Sequence, residues 1–157
     1  MKLTLWHGSI VRINRFDPRM PIDGGFHCGS EAQARMRNAT WLHEVTADIR
    51  NPRRSRDTGS GWKAKISSAR SSGHDCIIYL NRYEGLSADI IQRLSASGDL
   101  DRLDTMTDAE IRKLVPEATD SYLLFDPVTF NILSATMSQQ AADEPPAPVQ
   151  DQDPQAP

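Results

Sequence analysis

The sequence has few of the features that mark secreted, membrane-spanning or metal-binding proteins. Its 157 residues include only two cysteines, Cys28 and Cys76, and their spacing matches no zinc site. Both lie in predicted strands, so we expect free thiols in a reducing cytoplasm, with a disulfide as the less favoured alternative. No apolar run approaches the length of a membrane span, and no signal peptide begins the sequence. These absences predict a cytoplasmic protein with no membrane partner and no metal cofactor.

Charge is unevenly distributed along the chain, although the formal net charge is only -3. Residues 1–70 contain thirteen Lys and Arg against six Asp and Glu, whereas residues 71–157 contain five against fifteen. A basic half beside an acidic half suits an anionic ligand or partner, and a solvated basic face explains it equally well.

The length and the apolar content predict one folded domain over residues 1–138. The remaining nineteen residues, 139–157, are mostly Pro, Ala, Gln and acidic residues, with almost nothing to bury. We therefore expect this tail to be disordered.

The hydrophobic pattern changes irregularly between the strand period and the helix period. Alternation or a short apolar run predicts strands over 3–8, 26–28, 41–49, 76–80 and 121–126, and a short extended piece over 130–133. Helical spacing predicts helices over 31–38, 62–72, 87–97 and 107–115, the first of them capped by Ser30. Residues 10–21 are predicted as a loop or short helical turn and residues 53–57 as an exposed basic loop. Because no regular strand–helix–strand unit recurs, the pattern predicts an α+β domain with a largely antiparallel sheet.

Two glycine-containing stretches are the best candidates for a ligand site. The first predicted strand ends in His7, Gly8 and Ser9, and a glycine-flanked turn at 24–30 carries His27. A glycine beside a histidine at a strand end lets a flat ligand approach the backbone, where a Cβ atom would block it. The alternative is a buried histidine at the end of a strand.

Four stretches follow one another in a particular order. They are residues 5–9 (LWHGS), residues 25–34 (GFHCGSEAQA), an Asn-Pro connector at 49–57, and a closing strand pair at 73–81 and 120–127. Together they resemble the poly(ADP-ribose)-polymerase-like ADP-ribosyltransferases, in particular the small phage and bacterial members. The resemblance covers residues 3 to about 135. It implies an ADP-ribosyltransferase-like fold: a mainly antiparallel split β-sheet with peripheral helices and a helical insertion at 86–119.

The resemblance implies that NAD binds to the first of these stretches. His7 would hydrogen-bond a hydroxyl of the nicotinamide ribose, Gly8 would read the carboxamide through its backbone, and Ser9 would reach the same ribose. A backbone donor and acceptor can satisfy an amide in this way only where no side chain intervenes.

The second stretch would complete the NAD site through Gly25, Phe26, His27 and Ser30. His27 stands where larger relatives carry a tyrosine, and its imidazole can still donate to the ligand or stack on it; the alternative is a histidine at the solvent edge. The helix after Ser30 would lie along the ligand, with Met36 covering the nicotinamide, although an apolar helix residue is more often part of a core.

The sequence departs from the family at the position of the catalytic glutamate. Polymerase-type relatives place a glutamate just before the tyrosine of the closing strand, where this chain has Ser121. This loss argues against elongation of an ADP-ribose chain and leaves both transfer of one ADP-ribose and hydrolysis of NAD open. Glu84, in the turn after the strand at 76–80, is our candidate catalytic acid beside His7, with a solvated turn acid as the alternative. Asp126 is a weaker candidate, because Asp before Pro commonly ends a strand.

The connection at 86–119 is longer than two neighbouring strands require. It carries two predicted helices close to Glu84 in sequence. It either shapes acceptor recognition or covers the cleft, or it is a helical addition that stabilises the fold.

These observations predict a mono-ADP-ribosyltransferase that uses NAD as co-substrate, releases nicotinamide and modifies a protein, in particular a host protein in the host cytoplasm. A nucleic acid is the alternative acceptor, because Arg50, Arg53, Arg54 and Arg56 would attract phosphates, although no aromatic stacking platform accompanies them. The second alternative is a catalytically silent module that binds NAD or a protein. A metal-dependent nucleotide hydrolase is disfavoured, because the sequence has no cluster of His and Asp ligands.

Overall fold

Strands and helices mix along the whole of the chain that the computed structural model describes, residues 1–17, 19–126 and 129–138. The strands are β1 (Lys2–Ser9), β2 (Phe26–Cys28), β3 (Trp41–Asp48), β4 (Pro52–Arg54), β5 (Cys76–Leu80), β6 (Asp120–Leu124) and β7 (Phe130–Met137). The helices are α1 (Glu31–Arg35), α2 (Trp62–Ser71), α3 (Ala88–Ser97) and α4 (Asp108–Leu114), with a 3₁₀ turn at Leu100–Arg102. The prediction of an α+β protein with mostly antiparallel strands is confirmed.

The strands are divided between two sheets that meet at β1. One sheet has the order β1-β3-β7 and the other the order β2-β6-β5-β4. All neighbouring strands are antiparallel except β4 and β5, which run parallel. Two backbone hydrogen bonds, 2.8 and 2.9 Å long, join Trp6 of β1 to Gly29, which follows β2. The two candidate ligand stretches therefore lie side by side where the sheets touch.

Alternating side chains from both sheets form the main core. Leu5 of β1 and Val45 of β3 pack in one cluster with Phe26 of β2. The ring of Phe16 contacts Phe26 and Phe130 at centroid distances of 4.1 and 4.2 Å. Burial of one large apolar side chain contributes about 1.5–3 kcal/mol, so Phe16 holds the loop between β1 and β2 against the core.

Several element boundaries differ from the sequence-based expectations. Pro52–Arg54, expected at a strand end and in an exposed loop, forms β4; all three residues are exposed, so neither alternation nor burial marks them as a strand. β7 runs to Met137, well beyond 133, because it pairs with β3 over most of its length. α1 ends at Arg35, shorter than expected. The predicted disordered tail, 139–157, lies outside the described residues.

The segment 86–119 folds over the end of β5. Its apolar side chains form one cluster with that strand: Leu80, Leu86, Leu94, Leu103, Ile111, Val115 and Ala118. Arg82, just after β5, is buried against this segment and donates to the carbonyl oxygens of Leu103 and Met106 and to the Asp108 carboxylate. Apolar contacts and a buried cation therefore bind the insertion to the domain.

Both cysteines are buried free thiols, Cys28 in β2 and Cys76 in β5. Burial raises the pKa of Cys28 to about 12 and also raises the pKa of Cys76, so neither forms a thiolate near neutral pH. Across the described ranges, no three His, Cys, Asp or Glu residues are grouped to hold a metal ion. In the same ranges no helix has both the length and the apolar character to cross a bilayer.

Candidate active site

A cavity of about 160 Å³ opens beside the turn that follows β5. Its walls bring together residues that are far apart in sequence: His27, Arg37, Asp57, Gly59, Trp62, Tyr79, Asn81, Tyr83 and Glu84. A wider hollow of about 510 Å³ lies against β1 and β3, but Lys2 and Asp48 are the charged residues on its walls, with no histidine or tyrosine. Acid–base chemistry needs titratable groups close to one another, so the smaller cavity is the better candidate site.

The side chain of Asn81 holds Glu84 in place. Its carbonyl oxygen accepts the backbone N–H groups of Tyr83 (3.2 Å) and Glu84 (2.9 Å), which closes a tight turn after β5. Its amide nitrogen donates to the Glu84 carboxylate (2.8 Å) and to the Ser121 hydroxyl (3.0 Å). Asn81 is only 3% exposed, so the turn is anchored in the protein interior. Because one nitrogen reaches both oxygens, the Glu84 carboxylate lies directly beside Ser121.

Arg37, which follows α1, makes the second contact to Glu84. Its Nε atom donates to Glu84 Oε1 over 2.7 Å, and the two side chains are 30% and 28% exposed. An ionised carboxylate accepts about four hydrogen bonds, so Glu84 can still accept one from a ligand hydroxyl. The structure thus shows an oriented, half-buried carboxylate rather than a freely solvated one.

Three aromatic rings form another wall of the cavity. His27 Nδ1 and the Tyr79 hydroxyl share a hydrogen bond of 2.8 Å, and the His27 ring stands edge-on to Trp62 at a centroid distance of 5.3 Å. Burial lowers the pKa of His27 to about 3 and raises the pKa of Tyr79. Both rings are therefore neutral near neutral pH, and they offer a flat ligand apolar faces and hydrogen bonds without added charge.

The three residues of the first candidate stretch lie outside this cavity. The His7 ring is buried beside Phe26, and its Nδ1–H donates to the backbone carbonyl of His27 over 2.8 Å. A Cβ atom on Gly8 would overlap the carbonyl oxygen of Ala34, so the end of α1 occupies the space beside this glycine that a ligand would need. The Ser9 hydroxyl donates to the carbonyl oxygen of Val11. Of the three residues, His7 thus contacts the backbone of His27, whereas Gly8 packs against α1 and Ser9 bonds to Val11.

The residues of the second stretch have separate roles. Gly25 and Phe26 are buried, and a Cβ atom on Gly25 would crowd β6. The Ser30 hydroxyl caps α1, accepting the Gln33 N–H over 3.2 Å, as the sequence predicts. The sulfur of Met36 accepts the N–H of Gly85, next to Glu84. Only His27 of this group lines the cavity, and Met36 lies beside the turn that carries Glu84.

Sequence reasoning identified two of the nine cavity residues, His27 and Glu84, and missed the other seven: Arg37, Asp57, Gly59, Trp62, Tyr79, Asn81 and Tyr83. An Asn three residues before a Glu, directly after a strand, is a local signal for the Asx-type turn that Asn81 forms. No local signal marks Arg37, because its contact with Glu84 spans 47 residues. Asp126, the alternative acid, follows β6 and is not on the wall of this cavity.

The basic cluster is largely engaged within the protein. Both terminal nitrogens of Arg54 contact Asp120, at 2.6 and 2.7 Å, and Arg56 donates to backbone carbonyls of the insertion. Arg53 donates to Ser68, whereas Arg50 is strongly exposed. An arginine already paired with a carboxylate attracts phosphate less, which applies to Arg54, whereas Arg50 remains open to solvent.

Acidification is expected to destabilise the fold between about pH 6.5 and pH 4. Burial lowers the pKa of His7 to about 4 and that of His27 to about 3, both from 6.5. The folded protein then keeps both rings neutral while the unfolded chain binds protons. The free energy of unfolding is therefore undiminished above pH 6.5 and falls by roughly 1–2 kcal/mol per histidine on reaching about pH 5. Urea unfolding of the wild type and of His27→Gln checks this: the free energy of unfolding of the variant should fall less on acidification, with His7 and the buried His43, whose pKa burial also lowers, still contributing. An equal fall in the two proteins would contradict the prediction.

The chain matches no protein-family model, no curated protein and no solved structure.

Proposed function

We propose that this protein is an NAD-dependent mono-ADP-ribosyltransferase of the small phage and bacterial branch of the poly(ADP-ribose)-polymerase-like superfamily, with the corresponding fold. It transfers one ADP-ribose to a host protein and releases nicotinamide. The observation that carries the proposal is the Glu84 carboxylate, oriented by Asn81 and Arg37 on the wall of a cavity lined by aromatic rings.

The position of Glu84 answers the main objection to the proposal. Family resemblance places the glutamate at 121, where this chain has a serine. Here the carboxylate reaches the neighbourhood of Ser121 from the end of the adjacent strand β5, and a single Asn81 amide nitrogen bridges the two side chains. This placement supports a catalytic role for Glu84 in a chain that has serine at position 121.

The chemistry needs a negative charge near the ribose. As the bond between nicotinamide and the ribose C1′ breaks, its electron pair leaves with nicotinamide and positive charge develops on the sugar. The Glu84 carboxylate stabilises that charge and accepts the proton of the incoming nucleophile, which forms the new bond to C1′. The rings of His27, Trp62 and Tyr79 suit the flat nicotinamide.

His7 contributes indirectly in this arrangement. Its hydrogen bond to the His27 carbonyl fixes the backbone from which the His27 ring projects into the cavity. We therefore assign His7 as a positioning residue, in place of the direct ribose contact that the resemblance implies.

The insertion borders the proposed site through Tyr83. Tyr83 lines the cavity, and its hydroxyl donates to Asp104 of the insertion. Residues 86–119 thereby set the position of a cavity wall, which is consistent with a part in acceptor recognition.

NAD turnover by the purified protein tests the proposal. We expect nicotinamide release, and transfer of label from adenine-labelled NAD to a protein in host lysate. Nicotinamide release without protein labelling would overturn transfer in favour of NAD hydrolysis. Bound NAD with neither product would overturn the enzyme and favour a binding module.

A further inference from the structure

The guanidinium group of Arg37 has unused hydrogen-bonding capacity at the candidate site. Its Nε atom donates to Glu84, whereas its two terminal nitrogens have no hydrogen-bond partner among the described residues. The side chain is 30% exposed and lines both the main cavity and the narrow crevice that continues toward Trp6. An arginine fork with two free nitrogens matches the geometry of a phosphate or carboxylate group.

The positive charge of Arg37 also acts on several buried groups of this region. This charge adds to the effect of burial in lowering the pKa of His7 and His27, and it opposes the rise that burial causes in the pKa of Cys28 and Tyr79. Four buried groups from three strands therefore lie within reach of its field. The nearest opposing charge is Glu84, which accepts from Nε and leaves the other edge of the guanidinium open.

We propose that Arg37 binds the diphosphate of the dinucleotide through its terminal nitrogens while its Nε atom keeps Glu84 oriented. The inference rests on the proposed function, which makes NAD the ligand. Arg37 is then a specificity-determining residue: it selects a donor that carries phosphate, and it separates the negative diphosphate from the Glu84 carboxylate. The competing explanation is that Arg37 only neutralises Glu84.

Equilibrium binding separates these two explanations. The probes are ADP-ribose and inorganic pyrophosphate, which carry the diphosphate, and nicotinamide, which does not. Arg37→Gln should weaken ADP-ribose binding about 10- to 100-fold, as expected for loss of charge-assisted hydrogen bonds, and leave nicotinamide binding unchanged. Arg37→Lys keeps the charge without the fork and should recover part of the affinity.

Arg35→Gln is the matched control. It removes a positive charge two residues away, from an arginine that is paired with Glu31 on the exposed side of α1. ADP-ribose binding should be unchanged in this variant. The wild-type affinity for ADP-ribose should also fall with added salt, and Arg37→Gln should reduce that dependence.

Each result decides between the explanations. Equal weakening of nicotinamide and ADP-ribose by Arg37→Gln would overturn the inference and leave Arg37 as a partner of Glu84 only. A wild type that binds neither ADP-ribose nor pyrophosphate would also overturn it. Arg37-dependent ADP-ribose binding without nicotinamide release would support the anion site and refute the transferase.

Discussion

Glu84→Gln is expected to lower the rate of nicotinamide release about 100-fold or more and to leave the fold intact. Glutamine has nearly the same shape and can still accept the Asn81 amide hydrogen, but it lacks the charge that stabilises the developing positive ribose. The ion pair lost with Arg37 is partly exposed, so the free energy of unfolding should change by about 1 kcal/mol or less. Steady-state NAD turnover and urea unfolding of the same preparation measure both quantities.

The matched control for this prediction is Glu31→Gln. Glu31 also accepts from an arginine, Arg35, but on an exposed part of α1 away from the cavity. Its replacement should leave the turnover rate unchanged. The free energy of unfolding should change by no more than a few tenths of a kcal/mol. A Glu84→Gln variant that retains the wild-type rate would contradict the role of Glu84, and Asp126 would be the next carboxylate to replace.

Arg82→Met is expected to lower the free energy of unfolding by about 3 kcal/mol. The Arg82 side chain is fully buried and donates to the carbonyl oxygens of Leu103 and Met106 and to Asp108. Methionine fills a similar volume but removes the Arg82 donor from the buried Leu103 carbonyl, whereas the Met106 carbonyl keeps its bond from Arg56 and Asp108 its ion pair with Arg54. Arg82 Nε has no hydrogen-bond partner among the described residues, a cost already present in the wild type that keeps the expected loss from being larger.

Urea unfolding of Arg82→Met and Arg102→Met measures this effect against an exposed arginine. Arg102 belongs to the same insertion, but its ion pair with Asp99 lies at the surface, so its loss should cost at most about 1 kcal/mol. Equal stability of the two variants would show that the buried contacts of Arg82 do not hold the insertion. A single cooperative transition in Arg82→Met, shifted to lower urea, would show that the insertion unfolds together with the sheet.

Elements with strong local signals could be predicted from the sequence. The alternation in β1 and β3, the apolar run of β5 and the helix cap Ser30 all appear where the sequence places them. These signals depend on side chains within a few residues of one another. β4 could not be predicted, because its three exposed residues owe their strand conformation to pairing with β5, more than twenty residues away.

The same difference between local signals and long-range contacts decides which candidate site residues could be predicted. Glu84 could be predicted as a turn acid after a core strand, because the strand and the turn are both local features. His7 could not be placed, because either face of a strand end can be buried, and only the packing of Phe16 and Phe26 against β1 turns its ring inward. The engagement of Arg53, Arg54 and Arg56 could not be predicted, because their partners lie in α2, in β6 and in the insertion respectively.

The sequence by itself determined the α+β class, the periods of the main strands, the starts of the capped helices and the carboxylate in the turn after β5. The tertiary structure alone decided which groups surround that carboxylate. Arg37 and Glu84 meet across 47 residues, and Asn81 bridges Glu84 to Ser121 only because β5 and β6 pair in one register. Local periodicity follows from backbone geometry, whereas such contacts depend on how whole sheets pack, which no short window of sequence contains.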